Sequence, residues 1–116
     1  MITALHTLIY SDDQDATRTF LRDVLGWPHV DAHGGWLIFQ SGASETAVHP
    51  VMDGARHHEI TLMCDDLDAT VAELGAKGAV FGERHTERWG HTIRMHVPGA
   101  DDMLLYEPTH PTAFDL

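Results

Sequence analysis

Apolar and polar positions along this chain of 116 residues follow the same order twice. Residues 3–10 and 59–64 are short runs, rich in apolar and β-branched residues, that alternate in part with polar ones, as half-buried strands do. A helical pattern follows each run. The apolar residues on the two helical faces are Ala16, Phe20 and Val24 in the first and Leu67, Val71 and Leu74 in the second. The pattern therefore predicts a strand and then a helix in each half.

Both helical patterns carry start signals and end in a glycine, which is Gly26 in the first. Asp12 or Asp13 is expected to cap the first helix and Asp65 or Asp66 the second, because a carboxylate accepts hydrogen bonds from the free N–H groups of a first turn. Gly78 fits a left-handed position just past the end of the second helix.

Three more strands are expected after each helix, separated by turns that contain glycine. In the first half they lie at about 27–32, 35–40 and 45–49, with breaks at Gly34-Gly35 and Ser41-Gly42. In the second half they lie at about 80–87, 91–97 and 103–107, with breaks at Trp89-Gly90 and Pro98-Gly99. The unit is βαβββ, used twice.

A short internal repeat supports this division of the chain. The segments 11–17 and 64–70 read SDDQDAT and CDDLDAT and are identical at five of seven positions, 53 residues apart. We expect a single domain, since the length is typical of one core. Its parts are module one at about 1–50, a linker at about 51–57, module two at about 58–108 and a C-terminal tail at 109–116.

Composition and charge narrow the range of partners. Seven Lys and Arg against eighteen Asp and Glu give a net charge of −11, a field that repels nucleic-acid phosphates and anionic lipids. No apolar run approaches the roughly 20 residues of a membrane-spanning helix, and the first residues do not resemble a signal peptide. These features favour a cytoplasmic protein that binds neither nucleic acid nor membrane.

Ten histidines invite a metal or acid–base hypothesis, although no HExxH or CxxC motif is present. Five of them fall in turns or at strand ends, where we expect exposed side chains: His29, His33, His85, His91 and His110. The single cysteine, Cys64, precedes two aspartates that disfavour a thiolate, so a structural thiol is expected.

Three segments carry a resemblance to a known family. They are His6-Thr-Leu-Ile-Tyr-Ser-Asp-Asp with Phe20-Leu-Arg-Asp-Val-Leu-Gly26, then residues 65–78, and a degraded closing strand at 98–108. Over essentially the full chain, this pattern resembles the vicinal oxygen chelate superfamily of glyoxalases, bleomycin resistance proteins and extradiol dioxygenases. The resemblance implies an α+β fold in which two tandem βαβββ modules form a U-shaped mixed sheet around a central groove. It also implies a homodimer.

In metal-dependent members of that family, four positions face one cavity. The resemblance places them at His6, Thr46, Glu59 and Leu104, of which only His6 and Glu59 are good ligands for a divalent ion. The ion would be Fe, Mn, Ni or Zn, and the alternative is that no metal is bound. The residues that could substitute as ligands are His49, His58 and Glu107.

Two functions from different classes follow, and a third remains open. The first is a metal-assisted lyase, isomerase or dioxygenase acting on an oxygen-rich small molecule, with Glu59 or His6 moving a proton. The second is a metal-free binding protein of the bleomycin-resistance kind, and the third a regulatory or scaffolding dimer. The residues expected to bind the small molecule are Tyr10, Trp36, Arg94, His96 and Tyr106.

Overall fold

The α+β fold predicted from the sequence is confirmed in the computed structural model, which describes residue 4 and residues 6–116. Helix α1 (Gln14–Thr19) continues into a π-helical turn (Phe20–Val24), and helix α2 spans Leu67–Ala76. The strands are β1 (His29–Asp31), β2 (Leu37–Phe39), β3 (Thr61–Met63), β4 (Phe81–Glu87), β5 (Gly90–Met95) and β6 (Met103–Pro108). No helix in this described part of the chain is long and apolar enough to cross a membrane.

The strands form one small and one larger sheet. Strands β1 and β2 are an antiparallel hairpin, whose turn contains Gly34 and Gly35 with positive φ angles of 57° and 89°. The larger sheet has the order β3-β6-β5-β4, in which β3 is parallel to β6 and the other pairs are antiparallel. Module two therefore contains the complete βαβββ unit that the sequence pattern predicts.

The internal repeat gives both helices the same start. Asp13 Oδ1 accepts a hydrogen bond from Ala16 N at 3.1 Å, and Asp66 Oδ1 accepts one from Ala69 N at 3.0 Å. The second aspartate of each pair is thus the N-cap. At the other end of α2, Gly78 has a φ of 99°, the left-handed conformation expected of it.

Module one differs from its prediction in two segments. Residues 45–49 and the described part of 3–10, which is residue 4 and residues 6–10, belong to no strand. A strand needs a neighbour to take its backbone hydrogen bonds, and within the described residues the β1-β2 hairpin pairs only with itself. The alternating pattern of these two segments is present in the sequence, but neither segment pairs with a strand among the residues that the structure describes.

Both helices pack on one face of the larger sheet. Leu67 of α2 is fully buried and packs against Ile93 and Leu105, which are also buried. The core beneath α1 joins the two modules, since it brings together Phe20, Leu21, Met95, Val97 and Met103. Because these side chains leave water when the helix docks, the hydrophobic effect holds module one to module two.

A set of hydrogen bonds fixes the start of α1 on the turn that follows β5. Ser11 Oγ donates to Gly99 O at 2.8 Å, Thr17 Oγ1 donates to Pro98 O at 2.6 Å, and Asp12 N donates to Gly99 O at 2.9 Å. Thr17 is buried. We call this contact between the first copy of the repeat and the Pro98-Gly99 turn the α1 dock.

Candidate functional site

One face of the larger sheet is left uncovered by the helices. Across the strands, Thr61, Leu104 and Arg94 lie in one row, and Met63, Tyr106 and Thr92 in the next. Paired residues point to the same side of a sheet, and this side is opposite to the one that carries Ile93 and Leu105. We call it the open face, defined by these six residues: Thr61, Met63, Thr92, Arg94, Leu104 and Tyr106.

Tyr106 is the centre of an aromatic cluster on the open face. Its ring meets the ring of Trp89 edge to face, with centroids 5.4 Å apart and an interplanar angle of 81°. Its hydroxyl lies 3.4 Å from His110 Nε2. His110 is half-buried in this contact, so the expectation of an exposed side chain was wrong.

A carboxylate from module one lies beside this cluster. Glu45 Oε2 accepts a hydrogen bond from Ala113 N at 2.7 Å, and Glu45 Oε1 is 4.0 Å from His110 Nε2. Only 17% of the Glu45 side chain is exposed. Burial, and then the negative charge of Glu45, raise the pKa of Tyr106 above its ordinary value. The cluster thus combines two aromatic rings with one anionic group.

A cavity of about 400 Å³ adjoins the open face at the ends of β3 and β6. It is lined by Met63, Cys64, Asp65, Glu107, Pro108, Thr112 and Phe114. Met63 belongs also to the open face, while Thr112 and Phe114 come from the C-terminal tail. The tail therefore forms one wall of the cavity.

The superfamily of this chain follows from its match to a family model. The family model described as "Glyoxalase/Bleomycin resistance protein/Dioxygenase superfamily" matches residues 3–110. The chain belongs to this superfamily. The resemblance drawn from the sequence motifs is thereby confirmed, and no curated protein sequence is significantly similar to this chain.

Several solved structures of superfamily folds are similar to it. The antibiotic-binding protein TnmS3 from Streptomyces sp. CB03234 is 21% identical, with TM-score 0.66, and the match covers 94% of this chain and 99% of that one. A lactoylglutathione lyase from Agrobacterium tumefaciens is 20% identical, with TM-score 0.61 and coverage of 90% and 92%. The fosfomycin resistance protein FosX from Mesorhizobium loti is 17% identical, with TM-score 0.57 and coverage of 91% and 92%. At these identities the likeness shows the shared fold.

Members of the superfamily commonly use a divalent metal, and the four family positions test whether this chain fits one. Leu104 has no donor atom and lies next to the cationic Arg94 on the open face. Thr46 supplies only a neutral hydroxyl, and His6 and Glu59 are exposed. No three His, Cys, Asp or Glu side chains of the described residues are grouped as metal ligands. The donor set at these positions does not fit a metal centre.

The residues considered as substitute ligands have other contacts. Glu107 Oε1 accepts from Leu67 N at 2.8 Å and so caps α2. The ring nitrogen Nδ1 of His49 lies 2.8 Å from Pro50 O, and His58 is exposed.

The residues predicted to bind a small molecule are dispersed. Tyr106 and Arg94 share the open face. His96 Nδ1 lies 3.2 Å from a carboxylate oxygen of Asp102. Trp36 is stacked under the Arg18 guanidinium at 4.9 Å. The fifth, Tyr10, is exposed beside the Gly99 turn.

Glu45, whose carboxylate lies beside the Tyr106 cluster, is not among the site residues predicted from the sequence. The available signal was its position next to Thr46, the residue that the family pattern assigned to the groove. A shift of one residue in an extended segment moves the side chain to the other face. Because this segment has no ladder partner, alternation alone does not fix which side chain faces inwards.

Proposed function

We propose that the open face and its adjoining cavity bind a small organic molecule without a protein-bound metal. The observation that carries this proposal is the Tyr106–Trp89 pair, which lies beside the Glu45 carboxylate and next to a cavity of about 400 Å³. Cavities of this size are typical of sites for small ligands. Leu104 supports the proposal, because it places an apolar surface where metal-dependent relatives need a ligand.

The charges of the site favour a flat aromatic cation as the ligand. Aromatic faces attract cations, and Glu45 supplies a negative charge at the same place. The net charge of −11 draws cations towards the protein as a whole. TnmS3, described as an antibiotic-binding protein, has the same fold, which is consistent with binding as a function of this chain.

The test is a titration of the EDTA-treated protein with thioflavin T, a flat aromatic cation. We expect saturable binding of one dye per chain, weakened roughly tenfold by Trp89→Ala, which corresponds to about 1.4 kcal/mol. Trp36→Ala is the comparison variant, because Trp36 is also predicted to bind the small molecule but lies at the β1-β2 hairpin and does not line the cavity. Dye binding that does not saturate, or equal losses in the two variants, would contradict the proposal.

The metal-assisted lyase, isomerase or dioxygenase stays a prediction with its own test. His6 and Glu59 stand 53 residues apart, at equivalent positions of the repeat, which is the observation in its favour. Calorimetric titration of the protein with Mn, Fe(II), Ni and Zn measures the metal affinity on which this prediction depends. A tight stoichiometric site that is lost in both His6→Ala and Glu59→Ala would establish a metal centre and overturn metal-free binding.

Dimerisation is a proposal that rests on the β1-β2 hairpin. Val30, Trp36 and Ile38 lie on one side of it, and each is exposed by more than a third. A second copy of this chain would cover this apolar side and offer edges for the unpaired segments. We expect a dimer in sedimentation analysis that Ile38→Glu dissociates and Val80→Glu, at an exposed site before β4, does not. The cytoplasmic location stays a prediction.

A further inference from the structure

The C-terminal tail forms a strap across the cavity, and its two halves are held very differently. The first half is fixed where it leaves the sheet, because Thr109 N donates to Trp89 O and Thr109 Oγ1 donates to Arg88 O, both at 2.9 Å. The strap then passes His110, which contacts Tyr106. The second half, residues 111–116, has one fixed point.

That fixed point is Glu45. Among the described residues, the hydrogen bond from Ala113 N to Glu45 Oε2 is the only one that joins residues 111–116 to a distant part of the chain. Glu45 itself lies in a segment that belongs to no helix or strand. Segments with few hydrogen bonds and little burial open at low free-energy cost. One hydrogen bond therefore separates a closed strap from an open one.

The closed strap forms one wall of the cavity. Thr112 and Phe114 lie on either side of Ala113 and line the cavity together with Met63 and Cys64. If Ala113 leaves Glu45, both of these side chains are free to leave with it, while Thr109 remains as the hinge.

We propose that residues 110–116 are a lid over the ligand cavity and that Glu45 is the latch that holds it closed. The lid controls entry to the site proposed above, so its biological meaning rests on that function. Its motion is a property of the free protein. A test of the motion without any ligand therefore separates a failure of the lid from a failure of binding.

Cys64 provides the measurement, because it is the single cysteine and lines the covered cavity. The rate at which iodoacetamide alkylates the folded protein reports how often the cavity opens. Burial raises the pKa of the Cys64 thiol, and the charged groups that affect it are Glu107 and Asp65. Glu45 is not one of these charged groups, so its substitution is expected to act on the thiol by uncovering it, which both opens access and relieves the burial that raises its pKa.

We expect Glu45→Ala to speed alkylation roughly tenfold, the change that follows from losing about 1.4 kcal/mol of hydrogen bonding at the latch. Glu45→Gln keeps an acceptor oxygen and should stay close to the unmodified chain. Ala113→Pro removes the donor N–H without touching Glu45 and should match Glu45→Ala. Glu83→Ala, at an exposed position of β4, is the control for removal of a carboxylate.

Circular dichroism establishes which variants fold, and Ala113→Pro supplies the test if Glu45→Ala does not. Deletion of residues 110–116 gives the upper limit of the alkylation rate. Alkylation at the unmodified rate in the deleted chain or in a folded latch variant would overturn the lid, and so would an equal acceleration in Glu83→Ala.

Discussion

Replacement of Gly99 by alanine adds one methyl group and is expected to weaken the contact between the two modules. Its φ is +79°, a conformation that costs an L-residue about 1–2 kcal/mol. A Cβ at this position would lie 2.5 Å from Asp13 O, 2.8 Å from Ser11 Oγ and 2.9 Å from Thr17 Oγ1. Gly99→Ala therefore collides with the α1 dock from three directions, one of them a backbone atom that cannot rotate away.

The cost follows from the hydrogen bonds that must lengthen. The turn accepts three, from Ser11 Oγ, Thr17 Oγ1 and Asp12 N, each worth about 0.5–1.5 kcal/mol net. With the backbone strain, we expect Gly99→Ala to lower the free energy of unfolding by roughly 3–5 kcal/mol. Domains of this kind are stable by about 5–15 kcal/mol, so this is a large part of the total.

Gly42 is a matched control within the same chain. It follows β2 as Gly99 follows β5, and it has a similar φ of +91°, but a Cβ there would meet nothing within 4 Å. Gly42→Ala should therefore cost only the strain of about 1–2 kcal/mol. Urea unfolding followed by circular dichroism measures both variants. If the two variants lose the same free energy of unfolding, backbone strain accounts for the effect at Gly99 and the α1 dock does not.

Two further predictions concern the repeat and the cluster. Thr17→Val should lower the free energy of unfolding in urea by about 1–3 kcal/mol, since this buried hydroxyl donates to the Pro98 carbonyl at 2.6 Å. Thr70→Val loses only a hydrogen bond to Asp66 at the start of its own helix and should lower it by under about 1 kcal/mol. Equal losses in the two variants would contradict the α1 dock. In a Tyr10→Phe background, absorbance titration should give a pKa for Tyr106 above the ordinary value of about 10. Glu45→Gln should lower that pKa, because it removes the negative charge beside the phenol. An unchanged pKa would show that the Glu45 carboxylate does not lie beside Tyr106. Because the folded-state pKa is the higher one, the stability linked to this phenol is present below the unfolded pKa and is lost as the pH rises through the folded value.

Local features of the fold could be predicted from the sequence because their causes are local. The repeat and its aspartates fixed both N-caps, and Gly78 fixed the end of α2. Leu104 is a poor metal ligand by its side-chain chemistry alone. These features depend on backbone geometry and on side-chain chemistry within a few residues.

The site could not be predicted in the same way, because it depends on contacts between distant segments. Glu45 meets Ala113 across 68 residues, and His110 is buried only because the tail folds back onto Tyr106. Periodicity reports which face of an element is apolar, and it does not report where an unpaired segment or a tail comes to lie.

The two copies of the repeat also differ in their contacts, and one of the two positions at which their sequences differ takes part in those contacts. Ser11 donates a hydroxyl hydrogen bond to the Gly99 turn, whereas the equivalent residue of the second copy is Cys64, whose thiol is a weak donor. The corresponding turn of module one, at Gly42, contacts no side chain or backbone near its Cβ position. The copy that begins with serine is thus docked against a turn, whereas the copy that begins with cysteine lines the cavity. A hydroxyl can anchor the start of a helix to a facing carbonyl, and a thiol at the same place is a much weaker donor for that contact.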